Sequence, residues 1–238
     1  MKLSDILDQL SHGELSQVHV GGSDQCGVTE ENRGTIVSHI NMGLTELHKR
    51  FVLREGRFKI KVIPGKFTYL LDKKHSESNE GSDSPEKFIK DADDPFENDL
   101  FKVERVYDEK NHELALNDKD NELSLRTPSY NMLVIPDHKE FEAEELTVVY
   151  RANHPLLDFD DTVYPPEMVD VDLPMSHLEA LLFYVAARVI NPMGASGEFH
   201  EGNNYTSKFE RAVQQLHAMN YRVDTQSSNT RFERNGWV

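Results

Sequence analysis

The chain of 238 residues has one cysteine, one tryptophan and little positive charge. With Cys26 alone, no intrachain disulfide can form, so the fold does not depend on an oxidising compartment. The same scarcity rules out a zinc cage of the cysteine-rich kind. No stretch approaches the roughly 20 apolar residues that a membrane-spanning helix needs, so no membrane partner is expected. The first residues carry Leu3, Ile6, Leu7 and Leu10 at helical spacing without a long apolar run, and no signal peptide is expected. Lysine and arginine number 26 against 42 aspartates and glutamates, a formal charge of −16. Such a surface repels duplex DNA, although it can surround DNA that must slide. Mean hydropathy of −0.61 lies on the polar side for a globular chain.

Catalytic signatures are also missing. There is no G-x-S-x-G elbow, no P-loop, no G-x-G-x-x-G and no HExxH. His200-Glu201 lacks a second histidine, and His39 and His48 do not share a helix face. The loop 21–27 shows no base or cation near Cys26, which reads as a free, unreactive thiol. A non-enzymatic protein with no cofactor and no metal is expected.

The pattern that is present begins and ends with helices. A short helix is predicted over 2–11. A second, over 29–53, starts from a Thr29 cap with Glu30 and Glu31 in its first turn, where carboxylates suit the helix dipole. Ile36, Val37, Ile40, Leu44, Leu47 and Phe51 form its apolar stripe, and Lys49, Arg50 and Arg54 close it. The period then falls from 3.6 to 2. Phe58, Ile60 and Val62 alternate with Arg57, Lys59 and Lys61, and Phe67, Tyr69 and Leu71 alternate after a Pro64-Gly65 turn. These two runs read as a β-hairpin. The Lys59/Lys61 stripe could touch phosphate, but reads first as an ordinary exposed strand face.

Residues 72–99 hold ten acids and four bases among Ser, Asn, Gly and Pro, the composition of a solvated, mobile loop. Asp91, Asp93 and Asp94 lie close together there, without EF-hand spacing. Strand patterns return at 100–107 and 113–116 around a 108–111 turn, weakly at 123–125, and clearly at 130–135 and 146–151. Pro174 opens a further helix whose face is Leu178, Leu181, Leu182, Val185, Ala186 and Val189, and Pro192 stops it. A last helix is predicted over 205–220, with Phe209, Ala212, Val213, Leu216 and Met219 on one face. The segment 221–238 buries little by itself. It reads as an arm that docks on a partner, with Phe232 and Trp237 as anchors and Arg222, Arg231 and Arg234 as polar grips.

The expected fold is therefore α+β. An antiparallel helix bundle from 1–56 and 156–220 is interrupted by an inserted antiparallel β-sandwich or barrel, 57–155, and followed by the extended arm. In that order the chain resembles the head-to-tail adaptor (connector) proteins of short-tailed bacteriophages, also called tail tubular protein A or head-completion proteins. The resemblance runs over 29–220. It is carried by Ile-Asn-Met-Gly-Leu-Thr-Glu-Leu-His-Lys-Arg-Phe at 40–51, Val-Ile-Pro-Gly-Lys-Phe-Thr-Tyr at 62–69, Leu-Thr-Val-Val-Tyr-Arg-Ala-Asn-His-Pro-Leu at 146–156, and Leu173-Pro174 leading into 178–188.

The resemblance implies a homo-oligomeric ring, usually a dodecamer. Such a ring binds the portal protein on one face and the tail nozzle (tail tubular protein B-like) on the other, with genomic DNA passing through the lumen without specific binding. It also implies location at the head–tail interface of a virion assembled in a bacterial cytoplasm, and contact of 221–238 with portal. Two other classes are set against it. A virion accessory protein could bind a glycan or receptor through the β domain, although Tyr107, Tyr130 and Tyr150 look equally suited to a core. A metal-dependent hydrolase would need ligand spacings that are missing.

Overall fold

A computed structural model describes all residues except 23, 82, 85, 138–140, 159–164, 191–197 and 225–238, and describes the backbone alone at 22, 198–202 and 220–224. The fold is α+β with antiparallel sheets. Four helices are described: α1 (Leu3–His12), α2 (Arg33–Arg50), α3 (Met175–Ile190) and α4 (Glu198–Asp224). Seven strands lie between α2 and α3: β1 (Glu55–Lys61), β2 (Thr68–Leu70), β3 (Ile89–Lys90), β4 (Leu100–Tyr107), β5 (Arg126–Ser129), β6 (Met132–Val134) and β7 (Glu145–Ala152). The chain divides into a helical unit, Met1–Leu47 with Leu156–Val238, and a strand unit, His48–Pro155.

In the helical unit α1 buries Leu3, Ile6, Leu7 and Leu10, the face set by its 3–4 spacing. The amino terminus is strapped to the segment ahead of α3. Leu3 N–H donates to the Val169 carbonyl at 2.9 Å, Val171 N–H donates to that of Met1 at 2.8 Å, and Lys2 pairs with Asp170 at 2.8 Å. Thr29 does not cap α2. The helix begins at Arg33, and Asn32 ahead of it accepts from Thr29 N–H at 2.8 Å and donates to the Gly27 carbonyl at 3.0 Å. The Thr29 hydroxyl has no hydrogen-bond partner among the described residues. Gly43 lets α2 meet α3 closely, because a Cβ there would stand 2.6 Å from Leu181 Cδ1 and 2.9 Å from Tyr184 Cδ1. Asn41 holds the Leu157 backbone in both directions, at 3.0 and 2.9 Å. The rings of Tyr184 and Phe209 join α3 to α4 at 5.2 Å, edge to face.

The strand unit departs from the predicted pairing. The Pro64-Gly65 turn exists, with Gly65 at φ 79° and Lys66 N–H on the Ile63 carbonyl at 3.0 Å. The runs on either side of it enter different sheets. One sheet has the order β3-β1-β7-β4 and the other β2-β6-β5, and all neighbours within them are antiparallel. β1 pairs with β7 from Glu55↔Arg151 to Lys61↔Glu145, and with β3 at Lys59↔Lys90. Both edges of β1 are therefore taken, and β2 pairs with β6 instead. Alternation reports which face a residue takes, not which strand lies beside it. The 108–111 turn forms around Asn111 at φ 63°, but its return arm is only an isolated bridge, Tyr107↔Glu113.

Both sheets feed one core, where Phe58, Ile60, Leu146 and Val148 meet Tyr69, Leu71 and Leu133. The segment 72–99 also enters it, which corrects the expectation of a solvated loop. Phe88, Ile89 and Phe96 are buried, and Phe96 packs on Phe58 with ring centroids 4.9 Å apart. Asp91, expected at the surface, is buried too and serves as the anchor of the segment. It accepts from the Ser76 hydroxyl, from the Ser78 hydroxyl and N–H at 2.6 and 3.1 Å, and from Phe96 N–H at 2.8 Å. Desolvation pushes its pKa up, but the bonds from Ser76, Ser78 and Phe96 outweigh it and leave the carboxyl below its usual range. Average composition concealed three apolar anchors and one satisfied carboxylate.

Candidate interaction surfaces

Residues 221–224, at the start of the segment foreseen as an arm, are helical. α4 runs through Asp224, so the Arg222 backbone belongs to its last turn. Arg231, Phe232, Arg234 and Trp237 lie outside the described residues. α4 also begins at Glu198, ahead of the start foreseen at 205, and Met219, assigned to its apolar face, is exposed. Met42, Met168 and Met175 of the helical unit are exposed as well. Methionine is an adaptable residue at surfaces that meet partners.

The outward face of the β3-β1-β7-β4 sheet is built by strand alternation. β1 buries Gly56, Phe58 and Ile60 and exposes Glu55, Arg57, Lys59 and Lys61. Register then sets Lys90 beside Lys59, Arg151 opposite Glu55, and Lys102 opposite Arg151, with Arg105 opposite Val149. The face thus gathers seven cations with three carboxylates, Glu55, Glu104 and Glu145. Lys59 and Lys90 converge on Glu145 at 2.8 and 2.6 Å. Their hydrogen bonds, Lys59 first, hold the Glu145 carboxyl below the usual carboxylate range. Arg105 pairs with Glu55 at 2.7 Å, and Arg151 and Lys102 share Glu104 at 2.6 and 3.3 Å.

The lysines of this face are more exposed than the carboxylates they pair with. The Lys59 side chain is 56% exposed over Glu145 at 25%, and Lys102 is 65% exposed over Glu104 at 18%. Arg57 and Lys61 are exposed and have no ion pair among the described residues. Val149 is buried on this face. Only the Lys59/Lys61 stripe was legible in the sequence. Arg57 shares β1 with that stripe, and the other four cations come from strands distant in the chain.

Acids of the strand unit collect elsewhere. Asp108, Glu109, Glu113, Glu142 and Glu144 line one depression with Lys110. In the helical unit Asp24, Glu30 and Glu31 line another, with Arg33. Of the tyrosines considered for a recognition face, Tyr150 is in the core and Tyr130 is 65% exposed, beside Pro128 and Phe101. Cys26 is exposed, and its Sγ lies 3.4 Å from His19 Nε2, a neighbour seven residues away that the loop sequence did not reveal.

Among the described residues no three His, Cys, Asp or Glu side chains gather as a metal would need, and no helix is long and apolar enough to cross a membrane. No protein-family model matches the chain, and no curated protein matches it.

Proposed function

We propose that the chain is a structural, non-enzymatic head-to-tail adaptor of a tailed-phage virion. Its ring joins portal to the tail nozzle and lets DNA pass. In this reading the helical unit is an antiparallel bundle, the two sheets are layers of a β-sandwich, and 225–238 is an extended arm with Arg231, Phe232, Arg234 and Trp237 as its contacts. The observation that carries the reading is the order of the chain. One helical unit is drawn from both ends, and the strand unit is inserted between them, as in the adaptors that the motifs at 40–51 and 146–156 resemble.

General physics agrees with it. Subunits with unlike lateral faces close into rings when the rotation permits. A net charge of −16 keeps a conduit from gripping phosphate. An arm ordered only on assembly restrains early association. The test is deletion of 225–238. The shortened chain is expected to keep its circular dichroism spectrum and to lose co-sedimentation with portal, while the full chain forms rings on portal in electron micrographs. A full chain indifferent to portal sinks the reading, and a shortened chain that still binds sinks the role of the arm.

One observation favours a second reading. Exposed Tyr130 is the kind of aromatic that glycan-binding modules present, and it supports a virion accessory protein that uses the strand unit for recognition. A glycan array with the full chain and its Tyr130→Ala variant separates the two.

A further inference from the structure

We infer that the cationic face of the β3-β1-β7-β4 sheet is a lateral docking surface for the acidic helical unit of a second copy of this chain. The inference rests on the ring proposed above and names the contact that closes it. Charge is divided unevenly between the two units. The helical unit has nineteen acidic and eight basic residues, a formal charge of −11, and the strand unit has twenty-three and eighteen, a charge of −5. Within a strand unit that is acidic overall, one sheet face carries four more cations than carboxylates, and its lysines are more exposed than the carboxylates they pair with.

Two of those cations, Arg57 and Lys61, have no carboxylate partner among the described residues. Pairing among the described residues therefore does not account for them. Like units repel through their helical parts, so an attractive contact between copies must bring unlike surfaces together. Sheet face against helical unit is a heterologous pairing, the class that builds rings and not closed twofold dimers. Electrostatic complementarity of this kind sets orientation and association rate, and it weakens with salt.

Duplex DNA is the rival occupant. DNA needs a broad positive field to be held, and this face is confined to one sheet of a chain with charge −16.

The experiment uses the full chain, mixed as ordinary and nitrogen-15-labelled copies at low salt, with carbodiimide to join touching lysines and carboxylates. Intermolecular links are expected from Lys59 or Lys61 to carboxylates in 1–47 or 156–224, with a yield that falls at least tenfold at 1 M salt. Arg57→Glu/Lys61→Glu is expected to lose those links and to associate at least tenfold more weakly. Because both side chains are exposed and have no ion pair among the described residues, its melting curve should match the parent. The neutral Arg57→Gln/Lys61→Gln variant should fall between the two.

Links that instead join Lys59 or Lys61 to the Glu109–Glu142 depression overturn the inference. So does unchanged association of the charge-reversed variant, or loss of binding to a 30-base-pair duplex as its only defect. A chain that stays monomeric at low salt also overturns it. If that chain still forms rings on portal, the adaptor reading survives.

Discussion

Replacing Gly56 with alanine would put a methyl group into space that Tyr150 already fills. A Cβ at 56 would lie 2.2 Å from Tyr150 Cζ, 2.3 Å from its oxygen and 2.6 Å from Cε1. The ring has little room to retreat. It packs against Phe58 and Phe96 with centroids at 5.3 and 5.6 Å, and its hydroxyl donates to Asp99 at 3.0 Å. Overpacking a core costs about 1–3 kcal/mol, and a ring driven out altogether costs about 3–5 kcal/mol. Alanine returns about 0.5–1 kcal/mol of backbone entropy in a strand.

The expected net loss is about 2–4 kcal/mol. For a strand unit of roughly a hundred residues that unfolds by itself, this lowers the melting temperature by about 10–20 °C. The only tryptophan, Trp237, lies outside the strand unit. Unfolding is therefore followed by far-ultraviolet circular dichroism in urea and by hydrogen exchange of strand-unit amides. In a Tyr150→Leu background the same alanine should cost little, leaving a coupling above about 1 kcal/mol between the two sites. A Gly56→Ala protein within about 0.5 kcal/mol of the parent, or additive costs in the double variant, would refute the claim that Gly56 exists to seat this ring.

Asp91→Ala strips four donors of their buried acceptor and should cost about 2–4 kcal/mol, with faster amide exchange confined at first to 76–96. Asp91→Asn should cost less, and unchanged exchange across 76–96 would show that the segment is held by its apolar anchors alone. Burial lowers the pKa of His177, and burial followed by the nearby Arg188 charge lowers that of His39. Both imidazoles are thus favoured neutral in the fold. Their contribution is present above the ordinary histidine pKa of about 6.5 and is lost as pH falls from there towards the folded values. Urea midpoints should fall between pH 7.5 and 5.5, and His177→Gln should remove up to about 1.4 kcal/mol per pH unit from that slope. An unaltered slope would place the titration elsewhere. Below the usual carboxylate range the sign is the same for Asp91, whose depressed pKa makes its contribution disappear as acid protonates it.

Elements whose pattern is local were readable in the sequence. The stripe from Ile36 to Leu47 sufficed for α2, Pro174 marked the start of α3, and the Phe58/Ile60 alternation gave β1 its inner face. Boundaries were less secure where a polar residue competed for the helix end, as at Thr29 and Asn32. α4 extends past both limits foreseen for it, 205–220, because Asn203 and Asn204, weak helix formers, are tolerated inside a helix already docked on α3 through Phe209.

Of the surfaces, the sequence by itself determined the net charge of −16, the sole cysteine and the lysine stripe on β1, since these need only composition and a period of two. Tertiary structure alone decided three further matters. β1 lies between β3 and β7 and not beside β2, Asp91 is buried under two serines, and cations from four strands share one face. The physical reason is common to all three. A local period records which way a side chain turns, whereas the partner it turns towards is selected by contacts between residues tens of positions apart, where edge hydrogen bonds and the core must be satisfied together.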